Sequence, residues 1–247
     1  MSTRKVYLLG GLGNNLFQID HGLRQQGEHN VVFVTTLITK RFYSTIFGWT
    51  FHEPNLLDLT LNSHIQLVER SPFYVFLDLF FLFFAKSLKT DIFGVTWNSW
   101  ELTRANFGYY QDLNNKHPFI LSVPTKTKIY NAVVHLRLGD SPTLREDLTF
   151  QLRKIDHLRL SCVKVVTNDR KHADLLLQDY SFQYEFIGGN VLEDLEIMMS
   201  SNILIAPRST FSLAAALMSP NLKTLFIDKE FWISKGRPVD FEVNFYR

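Results

Sequence analysis

The sequence predicts an α/β protein built of two Rossmann-like halves, each around a parallel sheet, and three observations predict it. Residues 131 to 227 alternate short apolar runs with helical patterns in regular βα order. The chain opens on a strand, a glycine cluster and a helix, the order that begins a Rossmann-like unit. Between these regions lies Pro118 to Lys128, whose two prolines and Thr125-Lys126-Thr127-Lys128 run read as an inter-domain linker. The expected domains are therefore 1–124 and 125–247.

With 247 residues, 46% of them apolar, the chain can bury a large core. Charged residues make up 20%, the formal net charge is +2, and no basic stripe stands out, which argues against a nucleic-acid partner. The single cysteine, Cys162, lies in the apolar run Leu160 to Val166 and predicts a buried thiol. It can form no internal disulfide and fits a reducing compartment. Met1 to Lys5 lead directly into a short strand, with no apolar segment long enough for a signal peptide or an anchor, so the expected location is the cytoplasm. Pro72 to Leu88 is rich in Phe and Leu but short for a span and carries Asp78. It is expected to be a buried helix, and the alternative is peripheral contact with the inner face of a membrane.

In chain order, residues 4–9 read as a strand, 10–15 as a glycine loop and 16–26 as a helix with Leu16, Ile19 and Leu23 on one face. Gly10, Gly11 and Gly13 would let backbone N–H groups approach a ligand at a helix start. Asn15 fills the last position of the dinucleotide fingerprint, so that motif fails. Val31–Val34 reads as a second strand, 39–47 as a short helix and 65–68 as a third strand. The helix-like stretch 100–114 carries Tyr109 and Tyr110, aromatic faces on which sugar rings stack, although core packing is their commoner use. Thereafter strands are expected at 131–138, 163–167, 183–187, 203–206 and 224–227. Helices are expected near 146–158, 170–179, 192–200 and 209–217. Gly188-Gly189 loosens one loop, and Glu193 and Asp194 suit the first turn of the helix after it.

Three sites in this frame carry chemistry. The apolar run Ala132 to Val134 leads into His135-Leu136-Arg137-Leu138-Gly139-Asp140, where Gly-Asp is turn chemistry. His135, Arg137 and Asp140 should therefore stand at a strand's carboxyl end, where open α/β sheets bind ligands, and an Arg fork matches a pair of phosphates. A surface arginine, a satisfied core histidine and an ordinary turn are the plain alternative. Ser209-Thr210-Phe211-Ser212 follows a strand and Pro207, placing hydroxyls and unbonded N–H groups at a helix start. A simple N-cap explains Ser209 but gives no reason for Thr210. Thr167-Asn168-Asp169 ends another strand and serves equally well as an Asx cap or as part of a donor site.

Taken together, Gly10-Gly11-Leu12-Gly13-Asn14-Asn15-Leu16-Phe17-Gln18, the His-x-Arg-x-Gly-Asp element and Ser-Thr-Phe-Ser resemble the family 11 glycosyltransferases, the α-1,2-fucosyltransferases. The resemblance spans nearly the whole chain. It implies the GT-B architecture, two Rossmann-like halves facing a central cleft with the nucleotide on the C-terminal half. It also implies inverting transfer of L-fucose from GDP-fucose to a glycan hydroxyl, with no cofactor and no metal. Arg137 would meet the pyrophosphate, with His135 and Asp140 beside it, and Asp169, Arg208, Ser209, Thr210 and Phe211 would complete the donor site. Gly11, Gly13 and Asn14 would face the transferred sugar and the acceptor. The chain departs from the family at Leu138, where a second arginine is usual, and at Arg208, where asparagine is common; Arg208 would restore the missing charge. Asp20, His21, Glu101, Asp140 and Glu146 are the candidate general bases, with Asp140 the most structural of them. Another nucleotide-sugar donor, or an inactive nucleotide- or sugar-binding module, is the alternative.

Overall fold

Residues 3–8, 12–26, 30–35, 66–69, 128–138, 144–160, 162–235 and 238–246 are described in the computed structural model. The chain divides into two compact units, Met1–Asn114 with Ile120–Ser122, and Asn115–Phe119 with Val123–Arg247.

In the first unit, β1 (Thr3–Tyr7), β2 (Asn30–Thr35) and β3 (Gln66–Glu69) form a parallel sheet in the order β1-β2-β3. Helix α1 (Leu12–Gln25) connects the first two strands. It begins earlier than the sequence suggested, so Gly13 and Asn14 form its first turn instead of a loop. Leu12, Leu16, Phe17 and Ile19 are all buried, a helical spacing that reaches back across the glycine. Burying Leu12 offsets the ~1 kcal/mol that a helical glycine costs. Gly22 is required by packing: a Cβ there would lie 2.5 Å from the Phe33 ring, which β2 presses against the helix.

The second unit holds β4 (Tyr130–Leu136), α2 (Leu144–His157), β5 (Cys162–Thr167), α3 (Arg170–Leu177), β6 (Gln183–Phe186) and α4 (Val191–Met199). It continues with β7 (Ser201–Ile205), α5 (Thr210–Met218), β8 (Thr224–Ile227), α6 (Lys229–Lys235) and β9 (Glu242–Phe245). All strand pairs are parallel, in the order β6-β5-β4-β7-β8-β9. Counted within the unit this is 3-2-1-4-5-6, the doubly wound Rossmann order, with its reversal between β4 and β7. Ala132 to Leu136 are buried without interruption, as a central parallel strand covered on both faces requires. Helix α5 buries Ser212, Leu213, Ala214, Ala215, Ala216 and Met218, and the small residues let it pack closely beside α4. Both helices follow strands of one parallel sheet, so both begin at its carboxyl edge.

The α/β class and the two parallel sheets are as expected. Two details differ. Cys162 is partly exposed, because it starts β5 beside the edge strand β6, and full burial is reached only further along at Val163, Val165 and Val166. Beyond residue 227, where no further element was expected, α6 and β9 continue the βα alternation to Phe245. The expected helices at 39–47, 72–88 and 100–114 lie outside the described residues. Among the described residues no helix is long and apolar enough to cross a membrane.

Candidate functional site at the sheet reversal

The reversal of strand order brings two of the motifs together. Strand β4 delivers His135 near its end and Arg137 just beyond it, while β7 delivers Ala206-Pro207-Arg208-Ser209 and the start of α5. Their ladder ends at Val134 opposite Ile205, whereas β4 stays paired with β5 as far as Leu136 opposite Thr167. Strand β4 therefore runs on past its last pairing with β7. The His135 and Phe211 rings meet edge to face at 5.9 Å, so the His-x-Arg and Ser-Thr-Phe-Ser elements touch across this point.

Arg137 is partly exposed, and the chain just after it is held by a side chain. The Leu138 N–H donates to Asn168 Oδ1 at 2.9 Å, and Asn168 Nδ2 donates to the Leu138 carbonyl at 2.7 Å. One carboxamide thus extends the β4–β5 ladder by a residue. The polar turn read at 167–169 consequently does two jobs, because Asp169 is the N-cap of α3 and accepts from the His172 N–H at 3.0 Å.

At the start of α5, Ser209 is the N-cap and its hydroxyl oxygen accepts from the Phe211 N–H at 3.3 Å. The buried Ser212 hydroxyl donates to the Ser209 carbonyl. Ser209 and Ser212 thus serve the helix, and Thr210, partly exposed, stands where the positive end of the dipole favours an anion. Arg208 lies at the same edge, with its Nη2 3.0 Å from Asp228 Oδ2 and 3.9 Å from Glu230 Oε2. Asp228 is 0% exposed and also accepts from the Phe231 N–H at 2.8 Å. The charge of Arg208 is therefore largely met by a buried carboxylate.

A carboxylate that sequence reasoning treated only as a dipole partner stands at the same edge. Asp194, in the first turn of α4, has its pKa raised from an ordinary 3.8 to about 6. Burial drives the shift and Glu193 adds to it, against a hydrogen bond from Gly189 and the charge of Arg170. Gly188 makes room: its φ is +81°, and a Cβ there would fall 2.0 Å from Asp194 Oδ1. Arg170 donates to the Gly188 carbonyl and pins the loop. The Gly-Gly pair preceding an acidic helix start was the available signal.

In the first unit, Gly13 and Asn14 lie in the first turn of α1. Asp20, a candidate base, is buried and ion-paired with Arg24 at 3.1 Å within α1, which commits it to the helix. Gly11, Asp140 and Glu101, and the side chains of His21 and Glu146, lie outside the described residues. Among the described residues no three His, Cys, Asp or Glu side chains gather as metal ligands.

No protein-family profile matches the chain, and no curated protein matches it in sequence. Among solved structures it is similar to E. coli heptosyltransferase WaaC with ADP, at 9% identity and a TM-score of 0.49 over 98% of this chain and 93% of that one. It is similar to E. coli ADP-heptose LPS heptosyltransferase II at 7% identity and a TM-score of 0.48, covering 99% and 90%. The fucosyltransferase NodZ from Bradyrhizobium follows at 11% and 0.43, covering 89% and 94%. At these values the likeness transfers neither residues nor an activity to this chain.

Proposed function

We propose that the chain is a glycosyltransferase of GT-B type that holds the diphosphate of a nucleotide-sugar donor at the β4/β7 reversal. Within that class we propose L-fucose transfer from GDP-fucose to a glycan hydroxyl in an α-1,2 link, as the motif resemblance implies. One observation supports this most: a 3-2-1-4-5-6 sheet places the Arg137 element and the start of α5 on either side of its reversal point, where doubly wound folds take phosphates.

In an inverting transfer the acceptor oxygen attacks C1 of the sugar while the bond from C1 to the β-phosphate oxygen breaks. The acceptor proton leaves to a base, and the diphosphate departs with the bonding electrons and growing negative charge. Arg137 meets that charge with a planar fork of N–H donors, and the α5 N-terminus adds a fixed dipole. With the phosphates met in this way, activity should persist in excess EDTA. A rate that falls with EDTA and returns with Mg²⁺ or Mn²⁺ would contradict this. The first unit, with Gly13 and Asn14 in the first turn of its first helix, is the proposed acceptor side, and Gly11 precedes them in the sequence.

The nucleoside end is assigned to Asp194. Guanine offers adjacent N1–H and amino donors that one carboxylate accepts together, whereas the imide edge of uracil offers one donor between two carbonyls. Asp194→Asn should weaken GDP binding by about tenfold, ~1.5 kcal/mol for a charge-assisted contact. The same change should stabilise the fold. A folded-state pKa raised to about 6 means that the stability linked to Asp194 is present at low pH and lost as pH rises through 6. At pH 7 the asparagine variant would be free of that cost, on the order of 1 kcal/mol after allowance for the solvent that still reaches the group. Wild-type GDP affinity should correspondingly fall as pH drops below about 6. Affinity and Tm both unchanged in Asp194→Asn would contradict the assignment.

Calorimetry of the full chain with GDP, UDP and dTDP, beside a donor hydrolysis and transfer assay, tests the proposal. GDP binding with fucose transfer is the expected result. Preference for another nucleotide would favour a different donor, and binding without turnover would favour an inactive binding module.

A further inference from the structure

We infer that Gln151 is a positioning residue that sets the separation between the Arg137 element and the start of α5; this rests on the donor site proposed above. Gln151 lies inside α2, 1% exposed, at a depth that would ordinarily favour an apolar side chain. Its Nε2 donates to the His135 carbonyl at 3.0 Å and reaches the Ile205 carbonyl at 3.5 Å. These acceptors lie 16 and 54 residues away in sequence, one on β4 and one on β7.

The place of this contact gives it its role. The β4–β7 ladder ends at Val134 opposite Ile205, so the carboxamide bridges the two strands where their own pairing stops. A primary amide nitrogen carries two hydrogens and can serve two carbonyls at once. His135 leads by two residues to Arg137, and Ile205 leads by four to Ser209 and the start of α5. The distance between the bridged carbonyls therefore governs how far apart the two phosphate-facing elements stand. A diphosphate has a fixed span, and displacement of one gripping group by a fraction of an ångström weakens a two-sided grip. Burying a carboxamide costs free energy unless both ends find partners, so the bridge holds only at the separation that satisfies it.

Gln151→Met keeps the length and volume of the side chain and removes the donor. Calorimetry would compare GDP with guanosine, which lacks the phosphates. In the folded variant we expect GDP affinity to fall by about tenfold while guanosine affinity stays within about twofold of wild type. GDP affinity equal to wild type, or equal losses for GDP and guanosine, would overturn the positioning role and leave Gln151 merely structural. Wild-type protein that binds GDP no better than guanosine would instead overturn the donor site and this inference with it. If the methionine variant does not fold, wild-type protein labelled with ¹⁵N-glutamine carries the test. The Gln151 side-chain amide signal should shift on adding GDP and stay in place with guanosine, and a signal unmoved by saturating GDP would overturn the inference.

Discussion

Arg137→Ala should lower kcat/KM by on the order of 3 kcal/mol, about a hundredfold or more, while Tm moves by no more than about 2 °C. The two halves of this expectation have separate causes. Arg137 follows the end of β4 and is partly exposed, so the fold is not built around its side chain. The backbone beside it is fixed independently by Asn168 on Leu138. In the proposed donor site, alanine would remove a charge-assisted fork to the leaving diphosphate, an interaction that strengthens as charge develops. Turnover within about threefold of wild type would rule out that role.

Arg208→Ala should behave in the opposite way. Asp228 is fully buried, and its compensating charge comes from Arg208 at 3.0 Å. Removing the Arg208 charge from the buried Asp228 carboxylate should cost about 3 kcal/mol, the low end of the range for buried pairs because the Arg208 side chain is 30% exposed and Asp228 keeps the Phe231 N–H. For a chain of this size that is a fall in Tm of roughly 6 to 12 °C. GDP affinity per folded molecule should change by less than about threefold, because the guanidinium already answers a protein carboxylate. A large loss of GDP affinity with unchanged Tm would show instead that Arg208 serves the donor and that Asp228 only orients it.

Much of this fold was legible in the sequence, for a physical reason. Parallel strands covered on both faces are dominated by apolar residues, so β4, β5, β7 and β8 declare themselves in Ala132 to Leu136, Val163 to Val166, Ile203 to Ala206 and Leu225 to Ile227, with only His135 and Lys164 breaking the pattern. Some helix starts were equally plain, since an orphan N–H wants a Ser or Asp cap, as at Ser209 and Asp169, whereas α1 begins four residues before its expected start. The strand order was not legible, because nothing local in β4 says that it lies between β5 and β7. Without the order there is no reversal point, so the motifs could be suspected singly but not seen to meet. Strand β9 escaped because four half-exposed residues at a sheet edge carry little pattern. Gln151 and Asp194 escaped for a deeper reason: one reads as an ordinary helix residue and the other as a dipole partner until tertiary packing buries the first and half-buries the second. Arg208, conversely, looked like spare positive charge, since Asp228 lies twenty residues further along the chain and only the fold joins the two.

Whether the β4/β7 reversal of the second unit holds the donor diphosphate is decided by a crystal structure of the full chain with GDP. The predicted result is a diphosphate within hydrogen-bond reach, ~3 Å, of both the Arg137 guanidinium and the first turn of α5. GDP bound away from this point, with Arg137 and Thr210 making no contact with phosphate, would contradict it.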